Sequence, residues 1–154
     1  MDLGDILTRD GIVLSLQGKT KKLVLQELSE RAAAITRLSQ RDIYDALLQR
    51  ERLGSTGLGR GIAIPHVKLH NLDRITCLFA RLDDPIDFES LDNEPVDLIF
   101  LLLAPEHASG DHLKALARIS RLLREPSALE RLRSARDKLG LYNALTAPAT
   151  SHAA

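Results

Sequence analysis

Apolar residues recur along this chain with two different periods. Leu23, Val24, Leu28, Ala32 and Ile35 return every three or four residues, which predicts an amphipathic helix from about Thr20 to Ile35. The run Ile12-Val13-Leu14 ahead of it predicts a short strand. Ser39 with Asp42 three residues on is a variant of the helix-start signature. The hydroxyl accepts an orphan backbone N–H and the acid suits the helix dipole, so a second helix should run to about Arg50. Ile62-Ala63-Ile64, Ile75 to Leu82 and Val96 to Leu103 read as strands. The last is apolar on both faces, as a central strand covered by helices must be. Leu113, Leu116, Ala117, Ser120 and Leu123 mark another helix from near Asp111. Ser134 with Asp137 predicts the start of a terminal helix carrying Leu141, Tyr142 and Leu145.

Alternating strand and helix patterns imply an α/β fold, a single layered domain with a mixed β-sheet flanked by α-helices; no strand order follows from the pattern. A length of 154 residues fits one domain, taken here as 1–146. Residues 147–154 are small, polar and aperiodic, and are expected to form a flexible C-terminal tail in which His152 has no specific role. There is no internal repeat and no low-complexity segment.

Charge narrows the function classes. Lys and Arg total 21 against 21 Asp and Glu, so the basic excess of a nucleic-acid binder is missing. With three Phe, two Tyr and no Trp there is no stacking platform for single strands, and Leu, Ile, Val and Ala must fill the core. The longest apolar run, Leu98 to Ala104, is far too short to span a bilayer, and the acidic start Met1-Asp2-Leu3-Gly4-Asp5 is unlike a signal peptide. A cytoplasmic location is expected, without membrane insertion. Cys77 has no partner for a disulfide and sits in an apolar stretch, where a buried structural thiol is the expected state.

The candidate chemistry lies in Gly54-Ser55-Thr56-Gly57-Leu58-Gly59-Arg60-Gly61-Ile62-Ala63-Ile64-Pro65-His66. Glycines allow backbone N–H groups to turn toward an anion, and two hydroxyls add donors. His66, fixed by Pro65 where a strand ends, can supply a neutral imidazole nucleophile near pH 7. His107 and His112 follow another strand. Because ligands in open α/β sheets gather beyond the strand ends, distant histidines are expected to share one cleft. His112 falls in the first turn of its helix, where the dipole favours an anion and a neutral imidazole.

Competing readings are weaker. His66 and His70 are four apart, but Pro65 puts His66 at an element boundary and no third ligand is evident, so no metal is expected. The spacing of Gly57, Gly59 and Gly61 fails Gly-x-Gly-x-x-Gly, and no Gly-x4-Gly-Lys-Ser/Thr occurs, which disfavours nucleotide binding. Ser55 sits in no Gly-x-Ser-x-Gly elbow, which disfavours a hydrolase.

The glycine-rich segment, with Arg50-Glu51 before it and Lys68 after it, resembles the active-site signature of enzyme IIA of the phosphoenolpyruvate-dependent phosphotransferase system, in its mannitol/fructose/nitrogen-regulatory family. The resemblance continues through Pro85 to Glu89, Glu94 to Phe100 and His112 to Ile119, nearly the whole chain, and is strongest to the stand-alone nitrogen-regulatory type. It implies a mixed sheet of about five strands. It also implies His66 as a phosphoacceptor modified at its tele nitrogen Nε2, His112 as a phosphoryl-stabilising residue and Arg50 as the phosphate-stabilising arginine, for which Arg52 and Arg60 compete. Ser55, Thr56 and Gly57 are the expected phosphate-binding residues of the loop. The implied partner is an HPr-like phosphocarrier protein, charged by enzyme I and phosphoenolpyruvate. The regulatory branch further implies protein targets such as potassium-transport or sensor-kinase components. No cofactor is implied. Two other readings stay open: a fructose- or mannitol-type IIA component passing phosphate to a IIB domain for sugar uptake, and a non-covalent anion-responsive interaction module. Arg60 stands where a small polar or acidic residue is commoner in the family, and Val67 where glycine is common; either change bears on partner docking.

Overall fold

The strand with the strongest apolar signal organises the molecule. A computed structural model describes residues 2–108 and 110–147. In chain order it contains α1 (Leu3–Ile6), β1 (Leu7–Leu16), α2 (Lys21–Thr36), α3 (Gln40–Arg52), β2 (Gly57–Gly59), β3 (Ile62–Ala63), β4 (His66–Leu69), β5 (Thr76–Ile86), β6 (Val96–Pro105), α4 (Asp111–Leu123), α5 (Pro126–Ser134) and α6 (Lys138–Thr146). The expected C-terminal tail lies outside the described residues from 148 onward.

One mixed sheet runs in the order β1-β5-β6-β3-β2, with β4 also paired to β6. β6 lies antiparallel to β5 and parallel to β3 and β4. Its Leu98, Phe100, Leu102 and Ala104 face a core shared with α1, α4, α5 and α6. Its Ile99, Leu101 and Leu103 face a second core with Val24, Leu28 and Ala32 of α2 and Ile43 and Leu47 of α3. Period-two alternation on a strand covered from both sides requires this division. Phe79 meets Phe100 edge to face at 4.9 Å between ring centroids, the favoured aromatic geometry.

The expected helix starts are realised at three of four places, the third being Asp111, where α4 begins. Thr20 Oγ1 accepts the Leu23 N–H at 3.2 Å, and Ser39 Oγ accepts the Asp42 N–H at 3.3 Å. Ser134 does not cap the terminal helix. It closes α5, and Asp137 caps α6 by accepting the Gly140 N–H at 2.7 Å. The extra helix is explained by Pro126 in its first turn, where a missing N–H costs nothing.

The sheet has six strands and not about five, because Pro65 divides one of them. β3 pairs Ile62 with Leu98 and Ala63 with Ile99, and β4 resumes with His66 opposite Leu102. Pro65 has no N–H for the ladder, while its carbonyl accepts from Leu102 N at 2.9 Å, so the chain stays on β6 across the break. The glycines form a further strand, β2, in a hairpin with β3 whose turn puts Arg60 and Gly61 at φ 56° and 81°.

Burial pushes the Cys77 thiol up to about 12. The folded state then holds the proton more tightly than the unfolded chain, so this contribution to stability is present below the ordinary thiol range and is lost as pH rises toward 12. Native protein at pH 8.5 should resist thiol alkylation that goes to completion in denaturant. Equal rates in the two states, followed by mass spectrometry, would contradict the buried assignment.

Candidate functional site

β4 forms an edge where the two helical layers part. The end of α3 approaches it from one side of the sheet and the start of α4 from the other. Between them lies a cleft of about 660 Å³ bordered by Arg50, Arg52, His66, Lys68 and His112, with Leu53, Val67 and Leu102 as apolar lining. No carboxylate lines it. Three fixed cations and two imidazoles over an apolar floor suit an anionic group.

The local sequence orients His66. In the parallel register His66 and Lys68 share the face of Leu102 and Ala104, which is the α4 side of the sheet, whereas Val67 and Leu69 turn to the α2/α3 core. His66 Nδ1 lies 2.8 Å from the Ile64 carbonyl oxygen. A carbonyl can only accept, so Nδ1 carries a proton, and in the neutral imidazole the lone pair is then on Nε2. His112 reaches the same cleft from the first turn of α4, a helix that no side chain caps at its N-terminus. His112 Nδ1 is enclosed and makes no hydrogen bond among the described residues.

The two distant histidines are therefore brought together, as the sequence predicts. His107 is not with them: it borders a separate depression beside Asp73, Arg74 and Asp111. His70, the possible second metal ligand, is exposed and sits 2.9 Å from Glu106 Oε2.

The arginines separate by position. Arg50 lines the cleft, and its Nη1 donates to the Gly54 carbonyl at 2.9 Å, which steadies the turn leaving α3. Arg52 also lines the cleft. Arg60 lies away from it: its Nη2 donates to Leu123 O at 3.0 Å and its backbone N–H to Asp92 Oδ2 at 2.9 Å. Asp92 is held below the usual carboxylate range by that amide and by the amide of Glu94. Arg133 completes this side, pairing with Asp97 at 2.9 Å and donating to the Arg60 carbonyl at 2.7 Å.

Ser55, Thr56 and Gly57, the expected phosphate-binding residues, do not line the cleft. Ser55 Oγ donates to the Phe88 carbonyl at 2.7 Å and accepts the Gly57 N–H at 3.0 Å. A Cβ at Gly57 would collide with Ser90, so glycine is needed there for close approach. Both polar groups of Thr56 turn to Glu51: its N–H donates to Oε2 at 3.1 Å and its hydroxyl to Oε1. Glu51, whose side chain is 6% exposed, also pairs with Lys21 Nζ at 2.8 Å, and Lys21 rests over the Phe88 ring at 4.6 Å. Sequence reading quoted Glu51 beside Arg50 without giving it a role. The available signal was an acid next to a loop with two hydroxyls.

Fold and cleft together define an α/β domain with an imidazole set in a cationic cleft at a sheet edge. The family of the phosphoenolpyruvate-dependent sugar phosphotransferase system, EIIA 2, matches residues 5–147, and the chain belongs to that family. It is 52% identical over 148 residues to a nitrogen regulatory protein of Bradyrhizobium diazoefficiens, covering 96% of this chain and 97% of the relative. It is 40% identical to the fructose-specific EIIABC component of Bacillus subtilis, covering 80% of this chain and 20% of that protein. The crystal structure of nitrogen regulatory protein IIA-Ntr from Neisseria meningitidis has the same fold, with a TM-score of 0.89 at 36% identity, covering 94% of this chain and 99% of that one.

Replacing Lys21 with Met should leave the Glu51 carboxylate in a nearly closed site without its cation. Because Thr56 still supplies two donors, the expected cost is about 1 to 3 kcal/mol at neutral pH, read from the midpoint of urea unfolding. An unchanged midpoint would mean that the pair contributes nothing.

Proposed function

We propose that this protein is a regulatory phosphocarrier that accepts a phosphoryl group on His66 from an HPr-like carrier and acts on target proteins according to its phosphorylation state. The observation that carries this reading is the 2.8 Å contact from His66 Nδ1 to the Ile64 carbonyl, which in the neutral ring leaves the lone pair on Nε2 beside a cationic cleft. In the transfer, the Nε2 lone pair attacks phosphorus in line. The N–P bond of the donor phosphohistidine breaks, and its electron pair returns to the donor ring. His66 retains its Nδ1 proton on Ile64, so the positive charge that the ring gains has an acceptor already in place.

Arg50 offsets the charge of the equatorial oxygens, with Arg52 and Lys68 adding to the field, and His112 stabilises the phosphoryl group from the start of α4. The donor is charged by enzyme I and phosphoenolpyruvate. No metal or nucleotide has a part in this exchange. A phosphoryl group on His66 changes the charge and hydrogen bonding of the cleft, and that change is the signal read by targets such as potassium-transport or sensor-kinase components.

Transport is the second reading. Its support is the 40% identity to a fructose-specific EIIABC component. Transfer from the phosphorylated protein to a purified fructose-type IIB domain would establish it, and absence of transfer would leave the regulatory reading alone.

Incubation with phosphoenolpyruvate, enzyme I and an HPr-like carrier should place one acid-labile phosphoryl group on His66, detected by intact mass and peptide mapping. His66→Ala should fold normally and take no label; undiminished labelling of that variant would reject His66 as the acceptor. His112→Ala should still be labelled, but with a loss of about 2 to 4 kcal/mol of transition-state stabilisation, roughly 30- to 1000-fold in rate. Unchanged transfer kinetics would make His112 structural.

A further inference from the structure

The β2–β3 hairpin contains an irregularity that leads to His66. Ile64 N donates to the Thr56 carbonyl at 3.0 Å, one step beyond the paired residues Gly57 and Ala63. In a regular antiparallel ladder, residues joined in this way exchange two hydrogen bonds, and Thr56 N–H would return the second to the Ile64 carbonyl. It does not. Thr56 N–H goes to Glu51 Oε2 at 3.1 Å, and the Ile64 carbonyl accepts from His66 Nδ1 at 2.8 Å.

We infer that Glu51 is a positioning residue for His66: by drawing the Thr56 amide away from the ladder it leaves the Ile64 carbonyl to hold the Nδ1 proton, and so selects the neutral tautomer whose lone pair is on Nε2. The role is indirect, because Glu51 does not line the cleft. Its own placement is over-determined. The carboxylate is nearly closed off from solvent, paired to Lys21 at 2.8 Å and bonded to the Thr56 hydroxyl as well as to its amide. A buried carboxylate held by three donors is a fixed acceptor, and it competes for an amide better than a neutral carbonyl does. Pro65 contributes from the other side, since its carbonyl is occupied by Leu102 N and it has no N–H of its own to offer. The Ile64 carbonyl is thus the acceptor within reach of the ring, and Glu51 decides whether the ring or the ladder uses it.

This inference rests on His66 being the acceptor for its functional meaning, but the decisive measurement needs no phosphodonor. Long-range 15N NMR of the unphosphorylated protein, above the imidazole titration, reports which His66 nitrogen bears the proton. The wild-type protein should hold the Nδ1–H form. Glu51→Ala frees the Thr56 amide to close the ladder on Ile64, and the Nε2–H form should gain population. Glu51→Gln keeps an oxygen for the Thr56 amide and should preserve the wild-type tautomer. In phosphotransfer, Glu51→Ala should lower the rate at saturating carrier by about tenfold or more with little change in KM for the carrier, as misorientation of a reacting group predicts. A folded Glu51→Ala protein with an unaltered His66 tautomer would overturn the inference. Should that variant fail to fold, couplings across hydrogen bonds in the wild-type protein decide the matter. Coupling from Thr56 N to Glu51 Cδ and from His66 Nδ1 to Ile64 C′ supports it, and coupling from Thr56 N to Ile64 C′ overturns it. Loss of labelling in the His66→Ala experiment bears on the acceptor alone, so the two readings fail separately.

Discussion

A carboxylate that is nearly closed off from water must find donors, and the way Glu51 finds them ties together the parts of this molecule that sequence keeps apart. Lys21 brings the first turn of α2, Thr56 brings the loop before β2, and Glu51 itself ends α3. Phe88, under the Lys21 ammonium, brings the segment after β5, and Ser55 fastens to the carbonyl of the same residue. An unpaired charge at this depth is costly, which makes the four segments mutually dependent. The glycine-rich chain can then leave α3 in only one direction, and that direction delivers Pro65 and His66 to the edge of β6.

β6 does the complementary work. Because it is apolar on both faces, helices must cover both faces, and α3 and α4 arrive at the same end of the sheet from opposite sides. The cleft forms where they fail to meet, above the short strand β4. Its cations come from two separate elements, Arg50 and Arg52 from α3 and Lys68 from β4, and α4 adds the His112 imidazole. Among the described residues no acid lines the cleft beside them. The fold thus maintains a local excess of positive charge in a chain whose net charge is zero.

Much of this was legible in the residues. The helical periods of α2 and α4, the hydroxyl cap at Ser39, the two-faced apolar run of β6 and the meeting of His66 with His112 all follow from local pattern and from where ligands gather on open sheets. What escaped was non-local. Ser55 and Thr56 look like free donors, but Thr56 donates to the Glu51 carboxylate and Ser55 to a neutral backbone carbonyl thirty-three residues away. Gly57 looks like an open amide and is a close-packing position against Ser90. Ser134 and Asp137 both fit a helix start, and only the packing of α5 decides between them. Spacing alone could not separate Arg50, Arg52 and Arg60, because the hairpin carries Arg60 to the C-terminal end of α4, onto the Leu123 carbonyl, while the cleft lies at that helix's start.

β4 has one further property. It pairs only with β6, so the strand that carries His66 has an open side, the kind of edge on which a foreign strand can add itself. Natural sheets blunt such edges by keeping them short and placing lysine on them. β4 is four residues long, Lys68 stands exposed in it, and Asn71 turns the chain away at φ 65°. The lysine that adds charge to the cleft also makes the edge a poor template for aggregation, so replacing it with an apolar residue would open the strand to self-association as well as remove a cation from the cleft.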